Sequence, residues 1–330
     1  MAKTFTAVVF PEPNRTELRE FPIASPGPGE VQVRVTTSGV SMGTEYLVLC
    51  GQFPYQKFPC LVGYQSVGVV EELGADVTNL RIGDRVFVGA GTLPDGYAEG
   101  AGVAHVSRAN IPAVSASEFF PRPLMVPPHV TDASASYLIL VAVALEGAQM
   151  ANIRRGDLVA VVGLGVVGQL CAQVARARGA NVVASDLDAT RVAIANRLGI
   201  TAFAADIDDF DAEICKRQDK GADVVFETTG NTRVLERALT LARDYGTFVV
   251  QGHYPGSLEY RFTNAHWRHL TMVFPCGGAS RWEAMHALDR GLVAVEPLIT
   301  QRIRANEAPE LYARLAERDP ALLGATIDWT

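Results

Sequence analysis

Along the first third of the chain, apolar and polar residues follow patterns typical of β-strands. Thr6-Ala-Val-Val-Phe10 is an apolar run, and Glu30-Val-Gln-Val-Arg-Val35 alternates as a half-buried strand should. Ser25-Pro-Gly-Pro-Gly29 precedes that alternation and predicts a turn. Val67-Gly-Val-Val-Glu-Glu72 and Gly83-Asp-Arg-Val-Phe-Val88 read as a further pair of strands. We therefore predict that residues 5–110 are rich in β-structure.

From about residue 130 the pattern changes, and short apolar strands alternate with helix-like segments. The predicted strands are Leu158–Val162, Val182–Ser185, Val224–Thr228 and Thr247–Gln251. Such alternation predicts β-α-β units and a parallel sheet, so the fold class is α/β with a doubly wound sheet. Arg281 to Asp289 is predicted to be helical.

The first of these strands runs into a Gly-x-Gly-x-x-Gly turn, Gly163-Leu-Gly165-Val166-Val167-Gly168. This spacing is typical of a dinucleotide site, in which the helix N-terminus offers free N–H groups to the diphosphate. Gly163 permits the tight turn, Gly165 lets backbone approach the diphosphate, and Gly168 lets the helix pack close to the sheet. The whole segment, with Val166 and Val167, is predicted to bind the cofactor.

Asp186 ends the second strand, about 20 residues beyond the glycines, where a carboxylate accepts the ribose hydroxyls. It would repel a 2′-phosphate, so the predicted cofactor is NAD rather than NADP. Arg191 is predicted to flank the adenosine, or else to be an ordinary helix-surface arginine. Thr228, Gly230 and Gly252 follow later strands at the same edge of the sheet and are predicted to approach the nicotinamide half.

Composition limits the choice of partners and compartment. A length of 330 residues favours two domains, and 48% hydrophobic residues fit large cores. The net charge of −7 argues against nucleic acid or an anionic membrane as partner. Five scattered cysteines suit a reducing cytoplasm better than a disulfide framework. No apolar signal core or membrane span is evident, so a cytoplasmic protein is expected.

Landmarks along almost the whole chain resemble those of the medium-chain dehydrogenase/reductase superfamily. They are the glycine turn, Pro26-Gly-Pro-Gly-Glu-Val31, Gly63-Tyr-Gln-Ser-Val-Gly68, Gly83-Asp-Arg-Val86, Gly221-Ala-Asp-Val-Val-Phe-Glu-Thr-Thr-Gly230 and Leu298-Ile-Thr300. The resemblance implies a GroES-like catalytic domain of residues 1–129 and 279–330, with a Rossmann NAD-binding domain of residues 130–278 inserted in it. It also implies a homodimer paired through the strand-like segment 270–274, although a buried strand would look the same.

Two departures from that family concern the catalytic metal. Zinc members carry a cysteine where this chain has Ser41, and their Gly-His-Glu motif appears here as Gly63-Tyr64-Gln65. Serine and tyrosine are not ordinary zinc ligands, and residues 87–110 lack the cysteines of the structural zinc lobe. Zinc is therefore not expected at either site.

The segment Ser38-Gly-Val-Ser-Met-Gly-Thr-Glu45 resembles a zinc-lacking subgroup named for 2-desacetyl-2-hydroxyethyl bacteriochlorophyllide a dehydrogenase. That resemblance implies hydride transfer between NAD and a secondary alcohol or ketone. A quinone or enoyl reductase is an alternative, although such enzymes tend to prefer NADPH, which Asp186 disfavours. A catalytically silent NAD-binding protein is another alternative.

Without a metal, protic side chains must act on the substrate oxygen, and we expect them in the cleft between the two domains. Tyr64 is predicted to hydrogen-bond that oxygen or else to fill space; as a base it would need its pKa lowered from about 10. Glu45, beside Thr44, is a general base or an anchor for backbone N–H groups of its loop. His253 follows a strand at the ligand edge and is an acid–base candidate or a solvated loop residue. Ser41 completes the candidates as a hydrogen-bond donor.

Overall fold

A computed structural model describes residues 3–113, 123–276 and 278–330. The chain divides into two compact units, with the divisions between residues 139 and 140 and between residues 298 and 299. The first unit therefore contains both ends of the chain, and the second is one continuous segment. These divisions lie later in the chain than the predicted boundaries at residues 130 and 279.

The strands and helices are numbered in chain order over the residues described. The strands are β1 (Thr4–Phe10), β2 (Glu17–Pro22), β3 (Glu30–Val40), β4 (Cys60–Val62), β5 (Ser66–Leu73), β6 (Arg85–Val88), β7 (Ala98–Gly100), β8 (Arg108–Pro112), β9 (Leu124–Met125), β10 (Leu158–Val162), β11 (Asn181–Asp186), β12 (Thr201–Ala204), β13 (Ala222–Glu227), β14 (Ala242–Val250), β15 (Thr271–Val273), β16 (Gln301–Arg304) and β17 (Ala325–Asp328). The α-helices are α1 (Met42–Leu49), α2 (Asp132–Ala135), α3 (Leu138–Met150), α4 (Val166–Ala177), α5 (Ala189–Arg197), α6 (Ile207–Cys215), α7 (Thr232–Leu239), α8 (Phe262–His266), α9 (Arg281–Asp289) and α10 (Ala308–Ala316).

The first unit is built on two sheets. One has the strand order β2-β1-β4-β7, and the other has the order β16-β17-β3-β5-β6-β9, with β8 also paired to β3. The inward-facing positions of β3 are buried, as its alternating pattern predicted. Helix α10 packs Leu311 and Tyr312 into a core that also contains Phe10. The rings of Phe10 and Tyr312 meet edge to face, with centroids 5.0 Å apart.

The second unit contains a parallel sheet with the strand order β12-β11-β10-β13-β14-β15. All five residues of β10 are buried, because this central strand has neighbours on both sides and helices along the sheet. The order reverses between β10 and β13, and this reversal marks the binding crevice of a doubly wound fold. The predicted α/β fold class is confirmed.

Strand β15 forms one edge of this sheet. Its residues are partly or fully exposed, so the segment is not a buried strand. Pairing of two copies through this edge stays a prediction. Within the described parts of the chain, no helix is both long enough and apolar enough to cross a membrane.

Candidate active site and cofactor site

The glycine turn after β10 has the geometry of a phosphate-binding loop. Gly163 has φ +93°, a conformation that favours glycine. A Cβ placed on Gly168 would lie 2.0 Å from the Gly163 carbonyl oxygen, so α4 can approach the turn only with glycine there. Gly165 caps α4, and its Cβ position has open space around it. Together with Val166 and Val167 in the first turn of α4, this leaves backbone N–H groups available to a diphosphate.

Asp186 ends β11 and connects directly to the glycine turn. Its Oδ2 accepts a hydrogen bond from the Leu164 N–H at 2.6 Å, and its Oδ1 accepts one from the Asp188 N–H at 2.9 Å. Arg191 Nη1 lies 4.0 Å from Asp186 Oδ2. The carboxylate is thus held beside the turn, with Arg191 as its cationic neighbour, where it can accept ribose hydroxyls.

The loops after β13 and β14 approach each other closely at the same edge of the sheet. Thr228 Oγ1 lies 2.9 and 2.8 Å from the carbonyl oxygens of Val162 and Gly163 and can donate its one hydrogen to either. A Cβ placed on Gly252 would lie 2.7 Å from the Gly230 nitrogen. The loop after β13 therefore lies against the glycine turn, and the loop after β14 lies against the loop after β13. Only glycine fits at position 252.

Glu227, the last residue of β13, was missed from the sequence. It is fully buried, and its pKa is raised to about 7 because burial disfavours the charged form. Hydrogen bonds from Thr229 and the nearby Gly230 N–H dipole lower the pKa but do not offset burial. An acidic residue directly after the apolar run Val224-Val-Phe226 is a signal that could have identified it.

In the first unit, the loop before α1 and the loop between β4 and β5 bring three predicted residues together. The side chains of Ser41 and Thr44 lie near the Tyr64 hydroxyl, where hydrogen bonding from them lowers its pKa. Burial raises the pKa of Tyr64 to about 12, and the negative charge of Glu45 contributes in the same direction. Tyr64 is therefore protonated at neutral pH and suited to donating a hydrogen bond or a proton.

Glu45 lies in the same group of residues, but both of its carboxylate oxygens are hydrogen-bonded to other groups of the protein. It is fully buried, and its Oε1 accepts a hydrogen bond from the Ser41 N–H at 2.8 Å. Its Oε2 is hydrogen-bonded to His105 Nε2 at 3.0 Å and accepts another from the Tyr312 hydroxyl. This geometry fits the anchoring alternative and leaves little of the carboxylate for a substrate.

His105 extends this network towards the C-terminus. Its Nδ1 is 2.8 Å from Ser38 Oγ, which also accepts a hydrogen bond from Trp329 Nε1 at 2.9 Å. No local pattern pointed to His105 or Tyr312, since their partner Glu45 lies 60 and 267 residues away along the chain. The remaining catalytic candidate, His253, belongs to the second unit and is exposed after β14.

Replacing Glu45 by Gln is expected to lower the free energy of unfolding by about 1–3 kcal/mol, the usual effect of an unsatisfied buried group. An amide NH₂ cannot accept the hydrogen bonds that Ser41, His105 or Tyr312 now share with the carboxylate. Urea unfolding measures the change, and Glu12→Gln on the exposed surface is the control. An unchanged unfolding midpoint with lost turnover would instead favour a general base.

Two protein families match this chain. The family described as zinc-binding dehydrogenase matches residues 166–290, and the family described as alcohol dehydrogenase GroES-like domain matches residues 27–110. An alcohol dehydrogenase of Cupriavidus necator is 28% identical over 99% of both chains. The 2-desacetyl-2-hydroxyethyl bacteriochlorophyllide A dehydrogenase of Cereibacter sphaeroides is 28% identical over 98% of both.

The fold is similar to that of solved dehydrogenases. A structure from Sinorhizobium meliloti 1021, described as a zinc-binding dehydrogenase bound to NADP, superimposes with a TM-score of 0.84. It is 24% identical to this chain, and the match covers 99% of each. At that identity the likeness shows the fold, and the cofactor and substrate have to be argued from the residues themselves.

Proposed function

Because the chain belongs to the zinc-type alcohol dehydrogenase-like medium-chain dehydrogenase/reductase superfamily, we propose that it transfers hydride between NAD and a secondary alcohol or its ketone without zinc. It is an oxidoreductase of that superfamily, with a nicotinamide cofactor and a small-molecule substrate. The observation that carries the finer proposal is the Tyr64 hydroxyl, held by Ser41 and Thr44 where zinc relatives place a metal ligand.

The residues at the zinc-ligand positions do not fit the ion. Ser41 and Tyr64 carry neighbouring hydroxyl groups, and neither is an ordinary zinc ligand. Among the residues described, no group of three or more His, Cys, Asp or Glu side chains is placed to hold a metal ion. The family description mentions zinc, whereas the side chains at these positions favour hydrogen bonding to the substrate oxygen.

In this proposal Tyr64 takes the part that a Lewis acid plays elsewhere. A nicotinamide cofactor, when bound, would supply or accept the hydride. During ketone reduction an alkoxide develops on the substrate oxygen, and an alkoxide is basic enough to take a proton even from a phenol with a pKa of about 12. Ser41 and Thr44 orient the hydroxyl and hydrogen-bond the phenolate that remains. Alcohol oxidation uses the same phenolate as base, so its rate should rise with pH.

Asp186 supports NAD as the cofactor. Its carboxylate is fixed beside the glycine turn by the N–H groups of Leu164 and Asp188. A 2′-phosphate there would meet a negative charge, whereas ribose hydroxyls would find an acceptor. Arg191 lies near Asp186 and partly balances its negative charge, so the preference for NAD over NADP is weaker than Asp186 alone would give.

A panel of secondary alcohols with NAD⁺, and of ketones with NADH, tests the reaction. We expect NADH to form or be consumed with at least one pair, and alcohol oxidation to be faster at higher pH. Consumption of NADPH with quinones, without alcohol or ketone turnover, would contradict the proposal and favour a quinone reductase.

Protein purified without added metal is expected to contain far less than stoichiometric zinc, and its turnover should survive a chelator. Elemental analysis and activity before and after chelation measure this, with a zinc-dependent dehydrogenase treated in parallel as control. Stoichiometric zinc whose removal abolishes turnover would refute a reaction that depends on Tyr64 alone.

A further inference from the structure

The Glu227 carboxyl group is buried with only one of its oxygens satisfied. Its Oε1 accepts a hydrogen bond from the Thr229 N–H at 2.9 Å and another from the Thr229 hydroxyl. Its Oε2 has no hydrogen-bond partner among the residues described, and the side chain is fully buried. Buried polar atoms are nearly always paired, so this oxygen calls for a ligand or a function.

Glu227 also joins the two loops predicted to carry the nicotinamide half of the cofactor. Its carbonyl oxygen accepts hydrogen bonds from the N–H groups of Gln251 and Gly252, both at 2.9 Å. A Cβ placed on Gly252 would lie 3.3 Å from Glu227 Oε2. The unsatisfied oxygen therefore lies beside the glycine at which the loops after β13 and β14 meet.

The strand order places this oxygen on one particular half of the crevice. The order reverses between β10 and β13, and a dinucleotide lies across that reversal. Asp186, at the end of β11, marks the adenosine side. The loops after β13 and β14, on the other side of the reversal, therefore face the nicotinamide.

We propose that Glu227 discriminates between the two redox states of the cofactor: its ionised carboxylate favours the positively charged nicotinamide ring of NAD⁺ over the neutral dihydronicotinamide ring of NADH, and binding of NAD⁺ releases its proton. This inference rests on the proposed binding of NAD. It adds that Glu227 senses the charge of the nicotinamide ring.

The titration of Glu227 supports this role. Burial raises its pKa to about 7, and no charged side chain contributes to the shift. A cation arriving nearby favours the ionised form and so lowers the pKa. By linkage, affinity for NAD⁺ must then rise with pH as Glu227 ionises, while affinity for NADH stays level or falls. Titratable neighbours in the same loop are His253, which is exposed, and Tyr254, which is partly buried.

Calorimetric titration of the full chain with NAD⁺ and with NADH, at about pH 6 and about pH 8, tests the coupling. We expect affinity for NAD⁺ to rise about fivefold over this range, the change that follows if binding lowers the pKa of Glu227 from about 7 to about 6. Repeating the titration in buffers with different ionisation enthalpies should reveal proton release with NAD⁺ and little or none with NADH.

Glu227→Gln keeps the size of the side chain and removes its charge. It should abolish both the proton release and the pH dependence, and lower the ratio of NAD⁺ to NADH affinity about tenfold at pH 8. Glu236→Gln, the same substitution at a side chain that is 40% exposed on α7, should change neither. His253→Asn should retain the pH dependence, which separates the two titratable groups.

The outcomes separate this inference from the proposed function. Binding of NAD⁺ without proton release, or a pH dependence that survives in Glu227→Gln, would overturn the role of Glu227 alone. Failure to bind either form of the cofactor would overturn both. If Glu227→Gln does not fold, the proton release of the unmodified protein still decides the question.

Discussion

Replacing Tyr64 by Phe is expected to lower kcat for ketone reduction by about 10²–10³-fold, the usual loss when a hydrogen-bond donor to a developing oxyanion is removed. The substitution keeps the ring and deletes only the hydroxyl that Ser41 and Thr44 hold. Cofactor affinity should not change, because the glycine turn and Asp186 belong to the other unit. Steady-state kinetics and calorimetric titration with NAD measure the two quantities.

Tyr55→Phe is the matched control, since Tyr55 is 99% exposed and has no part in the proposed site. Thermal unfolding of both variants shows whether a loss of rate reflects a loss of fold. Full turnover in Tyr64→Phe would leave this tyrosine as a space-filling residue. Ser41, Thr44 and His253 would then be the side chains to replace next.

Asp186→Ala is expected to weaken NAD binding about tenfold to a hundredfold, since hydrogen bonds to a charged group contribute about 1.5–3 kcal/mol. Binding of NADP should change little or tighten, because the negative charge facing a 2′-phosphate is gone and Arg191 remains. The difference in binding affinity between NAD and NADP should therefore become smaller. Parallel calorimetric titrations with NAD and NADP measure it.

Asp186→Asn separates charge from hydrogen bonding, because the amide oxygen can still accept from the Leu164 N–H that the carboxylate now binds. It should relax the discrimination against NADP with a smaller loss of NAD affinity. Melting temperatures show whether either variant loosens the glycine turn. If the unmodified protein bound NADP as tightly as NAD, the role given to Asp186 would be wrong.

Sequence patterns predicted the second unit more closely than the first. The bounds predicted for β10 and α9 are those observed, because a fully buried parallel strand and a short amphipathic helix are set by contiguous residues. The tight turn at Gly163 and the position of Asp186 at the end of β11 were likewise predicted, since a fixed turn spacing sets both, whereas their binding of the cofactor stays a prediction. In each case the information lies within a short stretch of chain.

The buried network around Glu45 could not be predicted in the same way. Its carboxylate is satisfied by His105 and Tyr312, which reach it only through the pairing of distant strands and helices. A local pattern therefore left open whether Glu45 was a base or an anchor. The raised pKa of Tyr64 could not be predicted from the sequence for a similar reason. It depends on burial of the side chain, which exists only when the loops are folded.

The divided first unit has a consequence for synthesis on the ribosome. Strand β17 (Ala325–Asp328) pairs with β3, so that sheet lacks an internal strand until β17 has been translated. The second unit is one continuous segment and is complete once residue 298 has been translated. Since domains fold as units and non-local pairings form slowly, the second unit is expected to fold before the first. Until β17 pairs with β3, that edge of β3 has unpaired backbone groups that favour aggregation.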